Sequence, residues 1–398
     1  MSFKSVNGQS LDSLLQLVVE NNTQLKSIEL EYQAILEKKN QVNQLSNPQV
    51  GMGIPVLRPE TRLGPQMMMI SASQMFPWFG TLKSKEEVVV SMSKAKYEQL
   101  SIVKLDLFYQ VKSAYYQLYF FNQKQSNIKE NIRLFESLES ISLAKVESGQ
   151  TSITSVLRVQ TKLQGLKQQL LIIDNQKLIF ESAINELTKQ PDATKINLVD
   201  SLLLSDLEYD MDSFKTKIES NHPLITQINY QIEQSNKTLD VNRNMNKPTI
   251  GVGLDYSIVG QRTDANPANN GRDVLVPKVM LSVPIFRKSY SAKIKEENLI
   301  QQSLTYKKET ITDKMVSLLI NYKADYDNGV LEKSLFQNQS NTMQIAYAVL
   351  LSEYSSSGKG FEELLMVQNQ LLDFDLGIDK AELKANVAQA NIERITKF

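Results

Sequence analysis

The sequence predicts a mainly α protein with a small β part, in which a helix, a β-hairpin and a long helical hairpin occur in that order and then occur again. Three observations predict it. A short strand motif appears twice, as Pro48-Gln49-Val50-Gly51-Met52-Gly53-Ile54 and as Pro248-Thr249-Ile250-Gly251-Val252-Gly253-Leu254. Residues 11–54 align without gaps on 211–254, with Leu11-Asp12-Ser13-Leu14 on Met211-Asp212-Ser213-Phe214, Asn21 on Asn221 and Ile28 on Ile228. All eleven prolines fall at or before Pro77 or between Pro191 and Pro284, so 78–190 and 285–398 lack the strongest helix breaker.

Taken in order, the chain opens with a helix over 10–46, rich in Leu, Val and Ile at helical spacing. Strands over 48–57 and 65–76 follow. In the first, Val50, Met52 and Ile54 point one way and Gln49, Gly51 and Gly53 the other, the period-two pattern of a strand with unlike faces. Met67-Met68-Met69 in the second strand does not declare an outer face. A helical hairpin over 80–189 comes next, turning at Ser148-Gly149-Gln150-Thr151-Ser152. Its first helix, from about 81 to 147, would be roughly 100 Å long at 1.5 Å per residue. On the return arm Val156, Val159, Leu163, Leu166, Leu170, Ile173, Phe180, Ile184 and Leu187 keep heptad spacing, interrupted at Lys177.

Residues 190–210 carry no heptad and read as a linker. The second repeat then runs over 201–398 as the first ran over 1–200, with strands over 248–259 and 274–286 and a helical hairpin over 290–396. A second aligned block, Phe76 on Phe286 and Lys85-Glu86-Glu87 on Lys295-Glu296-Glu297, sits at a spacing of 210. The shift from 200 places about ten extra residues in the polar loop Gly260–Gly271. Leu364, Val367, Leu371, Phe374, Ile378, Ala381, Ala385, Ala388, Ile392 and Ile395 form an unbroken heptad seam on the last helix.

Composition excludes several kinds of chemistry. The 398 residues hold 44 Lys and Arg against 44 Asp and Glu, which leaves no basic footprint for nucleic acid. Without cysteine there is no disulfide, thiol catalysis or cysteine-based metal site, and the single histidine, His222, reads as a helix-start residue before Pro223. No repeated carboxylate, histidine or serine constellation suggests an enzyme, and no cofactor or metal ligand set is expected. No apolar run is long enough for a transmembrane helix, and the first nine residues lack signal-peptide character, so the chain reads as either cytoplasmic or already mature.

The strands instead point to lipid. About ten residues suffice to cross a bilayer when tilted, and one apolar face backed by one small, polar face is the pattern of a membrane barrel. Val279, Leu281, Val283 and Ile285 repeat it in the last strand. Phe76, Trp78, Phe79 and Phe286, at the strand exits, read either as membrane-interface aromatics or as a hydrophobic cluster at a corner. Four strands cannot close a barrel, so the chain must oligomerise to span a membrane, two copies supplying eight strands and three supplying twelve.

In the duplication, the Asn21-Asn22 and Asn221-His222-Pro223 openings, the Gly-x-Gly strands, the exit Ser73-Gln74-Met75-Phe76-Pro77-Trp78-Phe79-Gly80 and the two hairpin turns, the sequence resembles the TolC-like outer-membrane efflux channels. The resemblance implies a homotrimer with a twelve-stranded outer-membrane β-barrel continued by a twelve-helix periplasmic α-barrel, the 190–210 linker lying in an equatorial belt. It implies a passive exit duct in a tripartite system, joined through a periplasmic adaptor to an inner-membrane pump of the RND type. The Phe-Pro-Trp exit and the methionine-rich strand look most like the heavy-metal branch, although consecutive Met67, Met68 and Met69 face alternate sides and cannot form one cluster. The resemblance also assigns gating residues to the hairpin tips: Lys359 at the position of an arginine that locks onto the Thr154 position, Tyr354 at that of a tyrosine partnering an acid at the Ser155 position, and Glu363 at the first of two entrance aspartates. Ser155 and Met366 depart from that pattern, neither being acidic. The competing expectation is a coiled-coil scaffold without channel activity.

Overall fold

The computed structural model describes residues 10–202, 204 and 210–398. The first nine residues and part of the linker, Asp206-Leu207-Glu208 included, lie outside the described residues. The chain packs as two compact units. The first comprises the described residues up to Ser27 together with Leu100–Pro223 and Ile311–Phe398; the second comprises Ile28–Gln99 and Leu224–Thr310. Each unit draws on both halves of the sequence.

The opening helix is two helices. α1 (Leu11–Asn21) starts where the Ser10 hydroxyl accepts from the Ser13 amide, and α2 (Thr23–Val42) follows after one extended residue, Asn22. Asn22 causes the break. Its backbone amide still donates to Val18, while its side-chain oxygen accepts from the amides of Gln24 and Leu25 at 2.9 and 3.4 Å and so caps the next helix. Its side-chain nitrogen donates to the Leu187 carbonyl at 3.0 Å. The continuous helix expected over 10–46 is therefore corrected at Asn22.

α3 (Thr81–Glu147) and α4 (Ile153–Thr188) form the first hairpin. α5 (Met211–Asn221) and α6 (Pro223–Met245) repeat the early break at His222, which precedes a proline and is held out of the helical region. α7 (Lys288–Ser357) and α8 (Phe361–Thr396) form the second hairpin. Among the described residues no helix is long and apolar enough to cross a membrane.

In the first unit the core follows the heptads. Val156, Val159, Leu163, Leu166, Ile173 and Ile184 of α4 are buried, and so are Leu364, Val367, Leu371, Ala381, Ala385, Ala388, Ile392 and Ile395 of α8. Val159, Leu163, Leu166, Ile173 and Leu364 pack with Ile128, Ile132, Phe135 and Leu138 of α3, and Ala385, Ala388 and Ile392 with Leu319 and Tyr326 of α7, while Ile184 joins Leu14 and Leu107. Lys177, the interruption in the α4 seam, turns its ammonium to Asn122 and Gln125 of α3 at 3.0 and 3.1 Å. Burial lowers its pKa, and the two side-chain oxygens replace the lost water.

The second unit holds the sheet. Its strands are β1 (Gln49–Gly53), β2 (Glu60–Thr61), β3 (Gly64–Phe76), β4 (Thr249–Val259) and β5 (Val274–Ser282), antiparallel in the order β1-β3-β4-β5, with β2 pairing only the start of β3. Two strands are shorter than expected. β1 ends before Pro55, which has no amide to donate, and β5 ends before Pro284 for the same reason, so 48–57 and 274–286 are corrected to Gln49–Gly53 and Val274–Ser282.

Candidate membrane surface and hairpin tips

Register decides the faces of the sheet. Residues directly opposite in an antiparallel pair project to the same side. Val50 pairs Ala72 and Met52 pairs Ile70; Ile70, Ala72, Gln74 and Phe76 pair Tyr256, Leu254, Val252 and Ile250; Ile250 and Val252 pair Leu281 and Val279. One side of the sheet is thus an apolar row, and it is open to solvent: Val50 is 76% exposed, Met52 71%, Val279 78% and Leu281 64%. An exposed patch of this extent needs a partner phase. The register also places Ile70, Ala72, Gln74 and Phe76 of β3 on that side.

The opposite face is mixed, with Ser71 opposite Asp255, Ser73 opposite Gly253 and Lys278 of β5 reaching Asp255 at 2.6 Å, alongside Met69, Met75 and Met280. The glycines do more than keep this face thin. A Cβ on Gly251 would lie 2.4 Å from the Met75 sulfur and 3.0 Å from the Met280 methyl, and one on Gly253 would meet the Lys278 chain at 2.9 Å. The glycines seat long side chains of the flanking strands. Among the described residues no group of three His, Asp or Glu side chains is arranged to hold a metal.

At one end of the sheet stand the four aromatics. Phe79 and Phe286 are 83% and 84% exposed, Phe76 is part of the apolar row, and Trp78 is half-buried with the Lys247 ammonium 5.6 Å from its ring centroid. Trp78 and Phe79 meet edge to face at 6.2 Å.

The hairpin tips lie in the first unit. α3 ends in a left-handed Gly149, with the Gln150 amide donating to the Lys145 carbonyl at 2.8 Å, and α4 begins where Ser152 accepts from the Thr154 amide and hydroxyl at 3.3 and 2.9 Å. Between α7 and α8, Gly358 is also left-handed, and a Cβ there would stand 3.0 Å from the Gln150 carbonyl, so the two turns touch. Lys145 ties them further, donating to the Gln150 side chain at 2.7 Å and to the Ser356 carbonyl at 3.4 Å.

The five tip residues separate into two kinds. Tyr354 is fully buried and its phenol pairs with the Ser142 hydroxyl at 2.9 Å, its ring lying 5.5 Å from Phe361. Ser155 is buried and its hydroxyl is 3.3 Å from that of Thr151. Tyr354 and Ser155 thus each find a different partner in the chain. Thr154, Lys359 and Glu363 are exposed, and among the described residues neither Lys359 nor Glu363 is ion-paired. The charge pair at the tips is instead Arg158 with Glu362 at 2.5 Å. Ser142, Lys145, Arg158 and Glu362 carry no spacing signal in the sequence, because their partners come from another helix or another turn.

Behind the tips, α4 and α8 enclose an open groove of about 1180 Å³ lined by Leu157, Arg158, Gly165, Ile172, Leu365 and Asp373 among others. His222, the lone imidazole, is buried with its ring 5.2 Å from Phe398; burial lowers its pKa to about 4 and keeps it neutral.

No curated protein matches the chain. Residues 14–188 match the family model described as outer membrane efflux protein. Among solved structures, the outer-membrane channel OprN is 14% identical with a TM-score of 0.76, over 97% of this chain and 89% of that one. The CmeC outer membrane channel of Campylobacter jejuni is 13% identical with a TM-score of 0.76, over 97% and 85%. CusC, whose structures were described in terms of folding and transmembrane channel formation, is 15% identical with a TM-score of 0.75, over 99% and 95%. Over nearly its whole length, the chain has the fold of these channels.

Proposed function

We propose that the protein is the outer-membrane channel of a tripartite efflux system, a passive duct with a periplasmic helical part. The observation that carries this reading is the apolar row, interrupted at Gln74, on one side of a four-strand sheet whose two outer strands, β1 and β5, each have one neighbour among the described residues. In lipid such edges must be paired, and further copies of the same chain supply the pairing. Three copies give the twelve strands of a membrane barrel, with the two sequence repeats, 1–200 and 201–398, each contributing one strand pair and one helical hairpin per copy. The family model over 14–188 and the shared fold support the channel assignment.

The exit duct delivers substrates received from an inner-membrane pump of the RND type through a periplasmic adaptor, and the exposed tip residues Lys359 and Glu363 are the gating candidates. The Phe-Pro-Trp exit favours the heavy-metal branch and metal cations as cargo. Single-channel recording tests the function directly: protein added to planar bilayers should give discrete conductance steps, and membrane fractions should carry a detergent-resistant trimer. A soluble monomer that never conducts would favour the coiled-coil scaffold instead.

A further inference from the structure

We propose that the end of the sheet from which the long helices leave binds anionic phospholipid headgroups, through Lys247, Arg287 and Lys288 set beside Trp78, Phe79 and Phe286. This inference rests on the reading that the apolar row lies in a bilayer. Register brings the residues together. Phe76 pairs Ile250, Ile250 pairs Leu281 and Thr249 pairs Ser282, so β3, β4 and β5 finish level with one another. Neighbouring strands are about 4.8 Å apart. The Phe76–Phe79 exit, Lys247 just ahead of β4 and the Val283–Lys288 segment therefore emerge side by side.

Two properties mark this rim. Its apolar side chains continue the apolar row beyond the last strand pair, with Ile285 72% exposed and Phe79 and Phe286 still more so. Its cations lack counter-charges. On the adjoining helices Lys39 pairs with Glu86, Lys237 with Glu87, Arg243 with Asp240 and Lys293 with Glu296 and Glu297, whereas Lys83 and Lys85 at the start of α3 have no ion pair among the described residues. Lys247, Arg287 and Lys288 are exposed, and among the described residues none of the three is ion-paired. At the opposite end of the sheet Arg262 is held by Asp264, and Asp273 takes the Tyr256 hydroxyl and the Val259 amide; Arg58, Arg62 and Arg272 there are exposed without an ion pair among the described residues, but no exposed phenylalanine or tryptophan stands beside them.

Charge and greasiness together name the occupant. Exposed rings next to a lipid-facing row sit at headgroup depth, where the aromatic body and its polar surroundings each find their own phase. Ammonium and guanidinium groups at that depth meet phosphodiesters, and charge-assisted hydrogen bonds are strongest with headgroups that carry net negative charge. A soluble anion would satisfy the cations and leave Phe79, Ile285 and Phe286 in water. The membrane satisfies both.

The test is native mass spectrometry of the detergent-solubilised full chain incubated with equal amounts of phosphatidylglycerol and phosphatidylcholine. The wild type should retain phosphatidylglycerol severalfold over phosphatidylcholine, and the triple variant Lys247→Gln, Arg287→Gln, Lys288→Gln should bring the ratio near one. The charge-conserving Lys247→Arg, Arg287→Lys, Lys288→Arg should keep the preference, as should a control that neutralises the exposed Lys307 and Lys314 of α7. Equal retention of both lipids by the wild type, or an unchanged preference in the triple variant, overturns the proposal. Flotation with phosphatidylcholine vesicles is read in parallel. A wild type that fails to float removes the membrane reading, whereas one that floats without a phosphatidylglycerol preference removes only the headgroup site.

Discussion

Asp379 of α8 is a half-buried carboxyl with no cation paired to it among the described residues, accepting a hydrogen bond from the Asn127 side chain of α3 at 2.7 Å. Burial pushes its pKa up to about 7; the Asn127 bond opposes the shift, and the charges of Glu382 and Asp375 add to it. The folded value lies above the unfolded one, so its contribution to stability is complete below about pH 4 and is lost as pH rises towards 7. Asp379→Asn should therefore raise the unfolding midpoint at pH 8 and leave it nearly unchanged at pH 4.5, as thermal denaturation across that range would show. Tyr354→Phe removes the bond to Ser142 and leaves a buried hydroxyl unpaired, at a cost of about 1–2 kcal/mol in denaturant titration. Neither partnership is legible in the sequence. Residues 142 and 354, or 127 and 379, meet because four long helices pack, and no local pattern encodes that pairing.

Elements were far more legible than their partners. The heptads of α4 and α8 name the buried seam almost residue by residue, since 3.5-residue spacing leaves one face for a neighbour, and even the break at Lys177 marks a polar contact. Hidden from the periodicity was the interruption at Asn22, where the apolar pattern runs on while the side chain caps a new helix. Strand lengths were overdrawn because alternation continues past Pro55 and Pro284 after the hydrogen-bond ladder has stopped. At this scale two outcomes are expected. Lys359→Ala should raise the resting conductance of the reconstituted channel, and unchanged conductance would show that the tips are held shut by other contacts, such as those of Lys145. The chain has no native cysteine, so Met52→Cys combined with Val279→Cys places thiols only on β1 and β5. Oxidation in membranes should then give covalent dimers and trimers, and a product confined to monomer would show that these edges do not meet between copies.

For the whole molecule, the duplicated order of elements could be read from the sequence because each repeat keeps the same strand motif and proline positions. The packing units could not, since each is assembled from both halves. The lipid-facing row makes a further prediction: Val279→Lys places a charge on that row at a cost of about 2–4 kcal/mol near the bilayer midplane, so the variant should shift from the membrane fraction to aggregates. Its neighbour on the opposite face, Met280→Lys, should insert normally if that face lines water.

The single tryptophan has an optical consequence. Every photon of indole emission comes from Trp78, at the foot of β3 and beneath the Lys247 ammonium. The native protein is thus its own depth gauge, readable by brominated lipids that quench according to their distance from the ring. Unlike a signal averaged over many fluorophores, its emission maximum would report one known point on the strand-to-helix corner during insertion, assembly and headgroup exchange.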